Sequence, residues 1–179
     1  MKTTSDSFYD VAVIGAGIVG LAMAYTAAQQ GHKVAVFERT PYASGASIRN
    51  FGLIWPLGQA PGLMLERALR SREVWQQLAQ EAGVWMAPNG SLTLAYHADE
   101  WAVLEEFMAT TAGAGYDCSL VSAGKAGELS TAARARGLRG ALHSRTELTV
   151  SPRQALPAIA TYLQEKWGSG FTGTRPLRK

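Results

Sequence analysis

The sequence predicts an α/β fold built on one parallel β–α–β unit, and three observations carry that prediction. Tyr9 to Ile14 is a short apolar run that ends at a glycine. Gly15, Gly17 and Gly20 then fall close together and open an alanine-rich, helix-patterned stretch to Gln30. After the turn at Gly31-His32, the run Lys33-Val34-Ala35-Val36-Phe37 closes on an acid, Glu38. Apolar runs too continuous for a one-sided sheet, joined by a helical period, are the pattern of parallel strands linked by a crossover helix.

Each element has its own signature. Gly15 makes the tight turn out of the first strand. Gly17 lets backbone approach a ligand without a Cβ in the way, and Gly20 lets the helix lie close on the sheet. The helix has an apolar stripe of Ile18, Leu21, Ala22, Tyr25 and Ala28, and Gly31 is its stop. Its free amides and positive dipole end suit phosphate, so Gly15, Ala16, Gly17 and Ile18 are expected to line a pyrophosphate, with Gly20 behind them. Glu38, 23 positions after Gly15, stands where a carboxylate accepts hydrogen bonds from ribose hydroxyls. Its charge also repels a 2′-phosphate. The whole predicts binding of an adenine dinucleotide.

Bulk properties narrow the field. The chain has 179 residues, 47% hydrophobic, with a net charge of +3. Residues 1–133 carry 8 basic and 12 acidic side chains, and 134–179 carry 9 and 2. The basic residues are scattered, without aromatic interleaving, so nucleic-acid binding is not expected. Cys118 is the one cysteine, so neither an internal disulfide nor a cysteine metal cluster can form, and it reads as a small half-buried apolar residue. His32, His97 and His143 show no ligand spacing, and no metal site is expected. Val11 to Gly31 is free of formal charge, but its glycine cluster and the acids before it argue against a signal peptide or membrane span. A cytoplasmic protein is expected.

The rest reads in order. Residues 1–7 are polar and expected to fray. Residues 39–52 form a small-residue loop rich in phosphate-meeting groups: Ser44, Gly45, Ala46, Ser47 and Asn50. Such a loop, in place of a second crossover helix, favours FAD over NAD. Residues 61–82 form a helix with Leu65, Leu69, Trp75, Leu78, Ala79 and Ala82 inward, ended by Gly83. Pro88-Asn89-Gly90 is a turn, and Leu92, Leu94 and Tyr96 alternate on a strand. A helix from Asp99 presents Trp101, Leu104, Phe107 and Met108. A short helix and loop follow over 123–137, then two short extended pieces over 138–150. Ser151-Pro152 opens a helix to about Lys166, which Pro157 is expected to kink or delay.

The chain resembles the FAD-dependent amine and amino-acid oxidases of the glycine oxidase and D-amino-acid oxidase group. The residues that carry the likeness are Val13-Ile14-Gly15-Ala16-Gly17-Ile18-Val19-Gly20, Val36-Phe37-Glu38-Arg39 and the run from Gly45 to Gly52. The stretch from Ser47 to Gln59 is similar to a subgroup associated with aminophosphonate breakdown. The resemblance implies a Rossmann-like FAD-binding β–α–β unit with part of an α+β substrate domain. It implies FAD contacts at Gly15, Ala16, Gly17, Ile18, Gly20, Glu38, Arg39, Ser44, Gly45, Ala46, Ser47, Asn50 and Gly52. Ile54, Trp55 and Gln59 are implied near the flavin ring.

The implied organisation is an FAD domain over 1–84, a partial substrate domain over 85–150, a returning helix over 151–167 and an atypical tail over 168–179. The tail shows three glycines, a proline and no apolar alternation, so no strand is expected there. Family members run to roughly twice this length, so a truncated product is expected. The implied reaction oxidises a C–N bond of a small amine or amino acid, with that substrate as small-molecule partner and neither nucleic acid nor membrane expected. No side chain reads as its acid or base. An NAD-type nucleotide module and a non-catalytic remnant are the alternatives.

Overall fold

The computed structural model describes residues 8–40, 43–167 and 171–175. The expected fraying of residues 1–7 lies outside them. The chain divides into two compact units. The first comprises the described parts of Met1–Gly52, Gln76–Trp85 and Val150–Lys179. The second comprises Leu53–Trp75 and Met86–Thr149.

The first unit is the α/β part. Strands β1 (Val11–Ile14) and β2 (Val34–Phe37) pair in parallel, Val11 opposite Val34 and Ile14 opposite Phe37. Helix α1 (Ile18–Gln29) crosses between them. In β2, Val34, Ala35 and Val36 are all buried, which explains its unbroken apolar run. Helix α1 buries Leu21, Ala24, Tyr25 and Ala28. The expected stripe had Ala22 where the structure has Ala24. Ala22 is exposed, because the 3.6-residue period carries the buried face from Leu21 to Ala24 and Tyr25.

Three further helices follow in the chain. Helix α2 (Ala46–Arg49) is a single turn within the predicted small-residue loop. Helix α3 (Leu63–Ala82) is the predicted long helix, and Gly83 after it has φ +65°. The carboxylate of Glu81, near its end, meets the Tyr162 hydroxyl and the Lys166 ammonium. Those two groups belong to the helix Pro152–Trp167, which buries Ala155, Leu156, Ile159 and Leu163. Pro157 does not delay that helix, which already begins at Pro152. It sits on the exposed side, where the carbonyl it leaves unpaired can meet water.

The second unit is antiparallel. Strand β3 (Leu53–Ile54) leads into the 3-10 turn Pro56–Gly58. Strands β4 (Met86–Ala87) and β5 (Ser91–Ala95) precede helix α4 (Ala98–Thr110). Strand β6 (Cys118–Ser122), helix α5 (Ala123–Leu129), and strands β7 (Gly140–Ser144) and β8 (Leu148–Val150) follow, and the Pro152–Trp167 helix is α6. One sheet runs β3-β8-β4 and the other β5-β7-β6.

Both faces of the β5-β7-β6 sheet are covered. Ala95 and Leu142 pack with Leu104 of α4, joined by Trp101, Phe107, Met108 and Leu120. On the other face Ala141, Leu92, Leu94 and Val121 pack with Ala126 of α5. Strand β6 had no counterpart in the sequence reading. Its apolar residues, Leu120 and Val121, are adjacent and serve opposite faces, so no alternation marks it. Glu147 is fully buried in this unit. Its carboxylate accepts the Leu57 amide at 3.1 Å, the Thr146 hydroxyl at 3.0 Å and the Ser91 hydroxyl at 3.2 Å.

The tail corrects an expectation. Strand β9 (Phe171–Arg175) forms where no strand was expected, and it pairs in parallel with β2, giving the order β1-β2-β9. Apolar alternation was the wrong test, because the pairing is made by main-chain groups. Residues 168–170 and 176–179 of the tail lie outside the described ones.

Candidate functional site

The site is built where β1 and β2 end. The Gly15 amide donates to the Phe37 carbonyl at 2.7 Å, which locks the two strand ends together. Gly15 has φ +100°, a left-handed conformation that favours glycine. Gly20 is required for a different reason: a Cβ there would stand 1.9 Å from the Gly15 carbonyl oxygen. Gly17 caps α1 in extended conformation, and no acidic residue lies in the first turn of the helix. The positive end of the helix dipole therefore faces the cleft without a side-chain anion on its own first turn.

Two side chains from outside α1 hold the glycine turn and the first amide of the helix. Glu38 Oε2 accepts the Ala16 amide at 2.9 Å, while its Oε1 accepts the Thr40 amide at 3.2 Å and hydroxyl at 3.0 Å. The Ala16 amide, followed by the Thr40 groups, outweighs burial and holds the Glu38 carboxyl below the usual range. Ser47 Oγ accepts the Ile18 amide at 3.0 Å. A carboxylate offers about four acceptor positions. Glu38 spends these positions on holding the turn to the end of β2.

A cleft of about 290 Å³ lies over these groups. Among the predicted site residues, Gly15, Gly17, Glu38, Arg39, Ser44, Gly45, Ala46 and Ser47 line it. Ala16 and Ile18 serve it through their amides. Gly20 lies beneath, in the helix–strand contact. Asn50 and Gly52 do not line the cleft: Asn50 Oδ1 accepts the Gly52 amide at 2.8 Å and closes a turn of their own. Ile14, Phe37 and Ala43 also line it and were missed. The signal for the first two was available, since ligands of parallel sheets sit at the carboxyl ends of the strands. Ile54, Trp55 and Gln59 belong to the second unit.

The second unit has a larger cavity, about 380 Å³, lined by Asn89, Ser91, Leu92, Leu94, Leu129 and His143 among others. No Asp, Glu, Lys or Arg side chain lines it. Burial, ahead of its charged neighbours, pushes the Cys118 thiol up, as for an unreactive packed cysteine. Among the described residues, no cluster of His, Cys, Asp and Glu could hold a metal, and no helix is long and apolar enough to cross a membrane.

A family model described as DAO, FAD dependent oxidoreductase, matches residues 10–177. The glycine oxidase of Geobacillus kaustophilus is 28% identical over 160 residues, covering 85% of this chain and 42% of that protein. The crystal structure of glycine oxidase from Bacillus cereus superposes with a TM-score of 0.79 at 26% identity, covering 94% of this chain and 48% of that one. L-proline dehydrogenase from P. horikoshii gives 0.77 at 25% identity, covering 91% and 43%. The chain thus spans less than half the length of these relatives.

Proposed function

The chain belongs to the DAO family of FAD-dependent oxidoreductases, and from that premise we propose that it serves the oxidation of a C–N bond in a small amine or amino acid. FAD is the cofactor of the family. The observation that carries the reading is the meeting, in one cleft, of the α1 amides, the Glu38 carboxylate and the Ser44–Ser47 loop.

These groups fit an adenosine diphosphate moiety. The amide end of α1 and the small residues at 44–47 suit the pyrophosphate. Glu38 suits the ribose hydroxyls and opposes a 2′-phosphate. When bound, FAD supplies the oxidant for the C–N bond, and the protein supplies binding, orientation and electrostatics. The second unit reads as part of a substrate domain. The names of the relatives, glycine oxidase and L-proline dehydrogenase, support a small amino acid as substrate. Within that class an aminophosphonate is favoured by the run from Ser47 to Gln59.

The test is anaerobic mixing of purified, FAD-loaded protein with glycine, D-alanine or 2-aminoethylphosphonate. Loss of the oxidised-flavin absorbance with one of them supports the reading. A protein that takes up NAD and not FAD would replace it with a nicotinamide-type module.

A further inference from the structure

The 380 Å³ cavity of the second unit takes its floor from one face of the β5-β7-β6 sheet. Leu92 of β5 pairs with His143 of β7, and Leu94 with Ala141. Directly opposed residues of antiparallel strands share a face. At Ala141 that face is covered by Ala126 of α5 and by Ala133. At His143, further along β7, the imidazole lines the cavity together with Leu92, Leu94 and Leu129.

The polar groups around this floor have hydrogens left to donate. Asn89 Oδ1 accepts the Thr149 hydroxyl at 3.2 Å, which leaves the side-chain NH2. Ser130 Oγ accepts the Ala132 amide at 3.3 Å, which leaves the hydroxyl hydrogen. The imidazole of His143 is half-buried and has no hydrogen-bond partner among the described residues. Its cross-strand neighbours, Leu92 and Ser119, are uncharged. Ser91 differs, because its hydrogen goes to the buried Glu147 carboxylate at 3.2 Å. No Asp or Glu side chain lines the cavity, so none is there to repel an anion or to receive an ammonium. A few donors set among aliphatic side chains fit a small ligand with an acceptor group and an apolar body.

We propose that this cavity binds a small aliphatic monocarboxylate without an amino group. His143, Asn89 and Ser130 donate to the carboxylate, and Leu92, Leu94 and Leu129 take the hydrocarbon. All the lining residues belong to the second unit, so the proposal stands whether or not the cleft of the first unit takes FAD.

The test is an NMR titration of the whole chain with 4-methylpentanoate, 4-methylpentan-1-ol and leucine. The acid should bind one-to-one with a Kd of about 1 mM and shift the methyl signals of Leu92, Leu94 and Leu129. The alcohol and leucine should bind at least about 10-fold more weakly. His143→Ala should weaken the acid by at least about 10-fold, and His143→Gln, which keeps an N–H donor, by less. Ser130→Ala, a change in a loop, should weaken it by about 3-fold or more. Thermal melting confirms that each variant is folded, and Ser130→Ala decides the donor role if the His143 variants are not. A folded chain that leaves the acid unbound at about 10 mM would overturn the site. Equal binding of the alcohol or of leucine, or wild-type affinity in the folded variants, would overturn it as well.

Discussion

The carboxylate of Glu38 accepts the amide of Ala16 at 2.9 Å, across 22 positions of sequence. The end of β2 is thereby fastened to the glycine turn that leaves β1. One carboxylate holds the turn and faces the cleft, so its loss should be felt twice. Glu38→Ala should weaken FAD or ADP by about 10- to 100-fold, measured by calorimetry. Glu38→Gln keeps an acceptor for Ala16 and should lose less. The folded-state pKa of Glu38 is lowered, so its contribution to stability is complete above the ordinary carboxylate range and is lost as pH falls through the folded value. Melting curves of the wild type and Glu38→Gln should therefore converge in acid.

The β–α–β unit was legible because its determinants are local: a glycine with positive φ at Gly15, apolar periods on either side and an acid at the strand end. The Ala22-for-Ala24 difference is a matter of phase on a helix with little polar contrast. Elements whose reasons are not local were hidden. Strand β6 is apolar toward both faces, and β9 is held by main-chain pairing to β2. The cleft was readable from the Gly15, Glu38 and Ser44–Ser47 segments, while Ile14, Phe37 and Ala43 enter it only because the strands end there. Glu147 gave no sequence signal, since its three hydrogen-bond donors come from residues 57, 91 and 146.

Gly20 and Gly127 form a matched pair of helical glycines. At Gly20 a methyl would meet the Gly15 carbonyl oxygen at 1.9 Å, whereas at Gly127 it would meet nothing within 4 Å. Gly20→Ala should cost about 2–4 kcal/mol. Gly127→Ala should gain about 0.5–1 kcal/mol through helix propensity and a less flexible unfolded chain. Urea unfolding of the two variants measures both signs.

Glu81 holds α6 through the Tyr162 hydroxyl and Lys166. Its pKa is pulled down to about 2, by the Tyr162 hydrogen bond first, then by Gln77 and Lys166. The carboxylate is depressed, so this stability is present above the ordinary glutamate value and drains away between about pH 4.5 and pH 2. Because Lys166 is 43% and Glu81 28% exposed, solvent screening limits the effect to about 1 kcal/mol. Glu81→Gln should lower stability by that amount at neutral pH and show no such loss in acid. Among the described residues the buried Tyr25 hydroxyl has no hydrogen-bond partner, so Tyr25→Phe should raise stability by about 1 kcal/mol in the same melts.

Glu147 anchors the 3-10 turn at Leu57 and the start of β5 at Ser91. Glu147→Ala would leave an amide and two hydroxyls without their acceptor in a buried site. It should cost about 2–4 kcal/mol, read by urea unfolding. Glu147→Gln should cost less, since one amide oxygen still accepts while its NH2 faces donors.

The central claim is that the cleft over Gly15, Glu38 and Ser47 holds the adenosine diphosphate part of FAD. Titration of the purified chain with FAD, followed by flavin fluorescence and repeated with ADP as competitor, tests it most directly. The account predicts saturable one-to-one binding that ADP displaces and Glu38→Ala weakens. A folded chain that binds neither FAD nor ADP, or FAD binding indifferent to ADP and to Glu38→Ala, would contradict it.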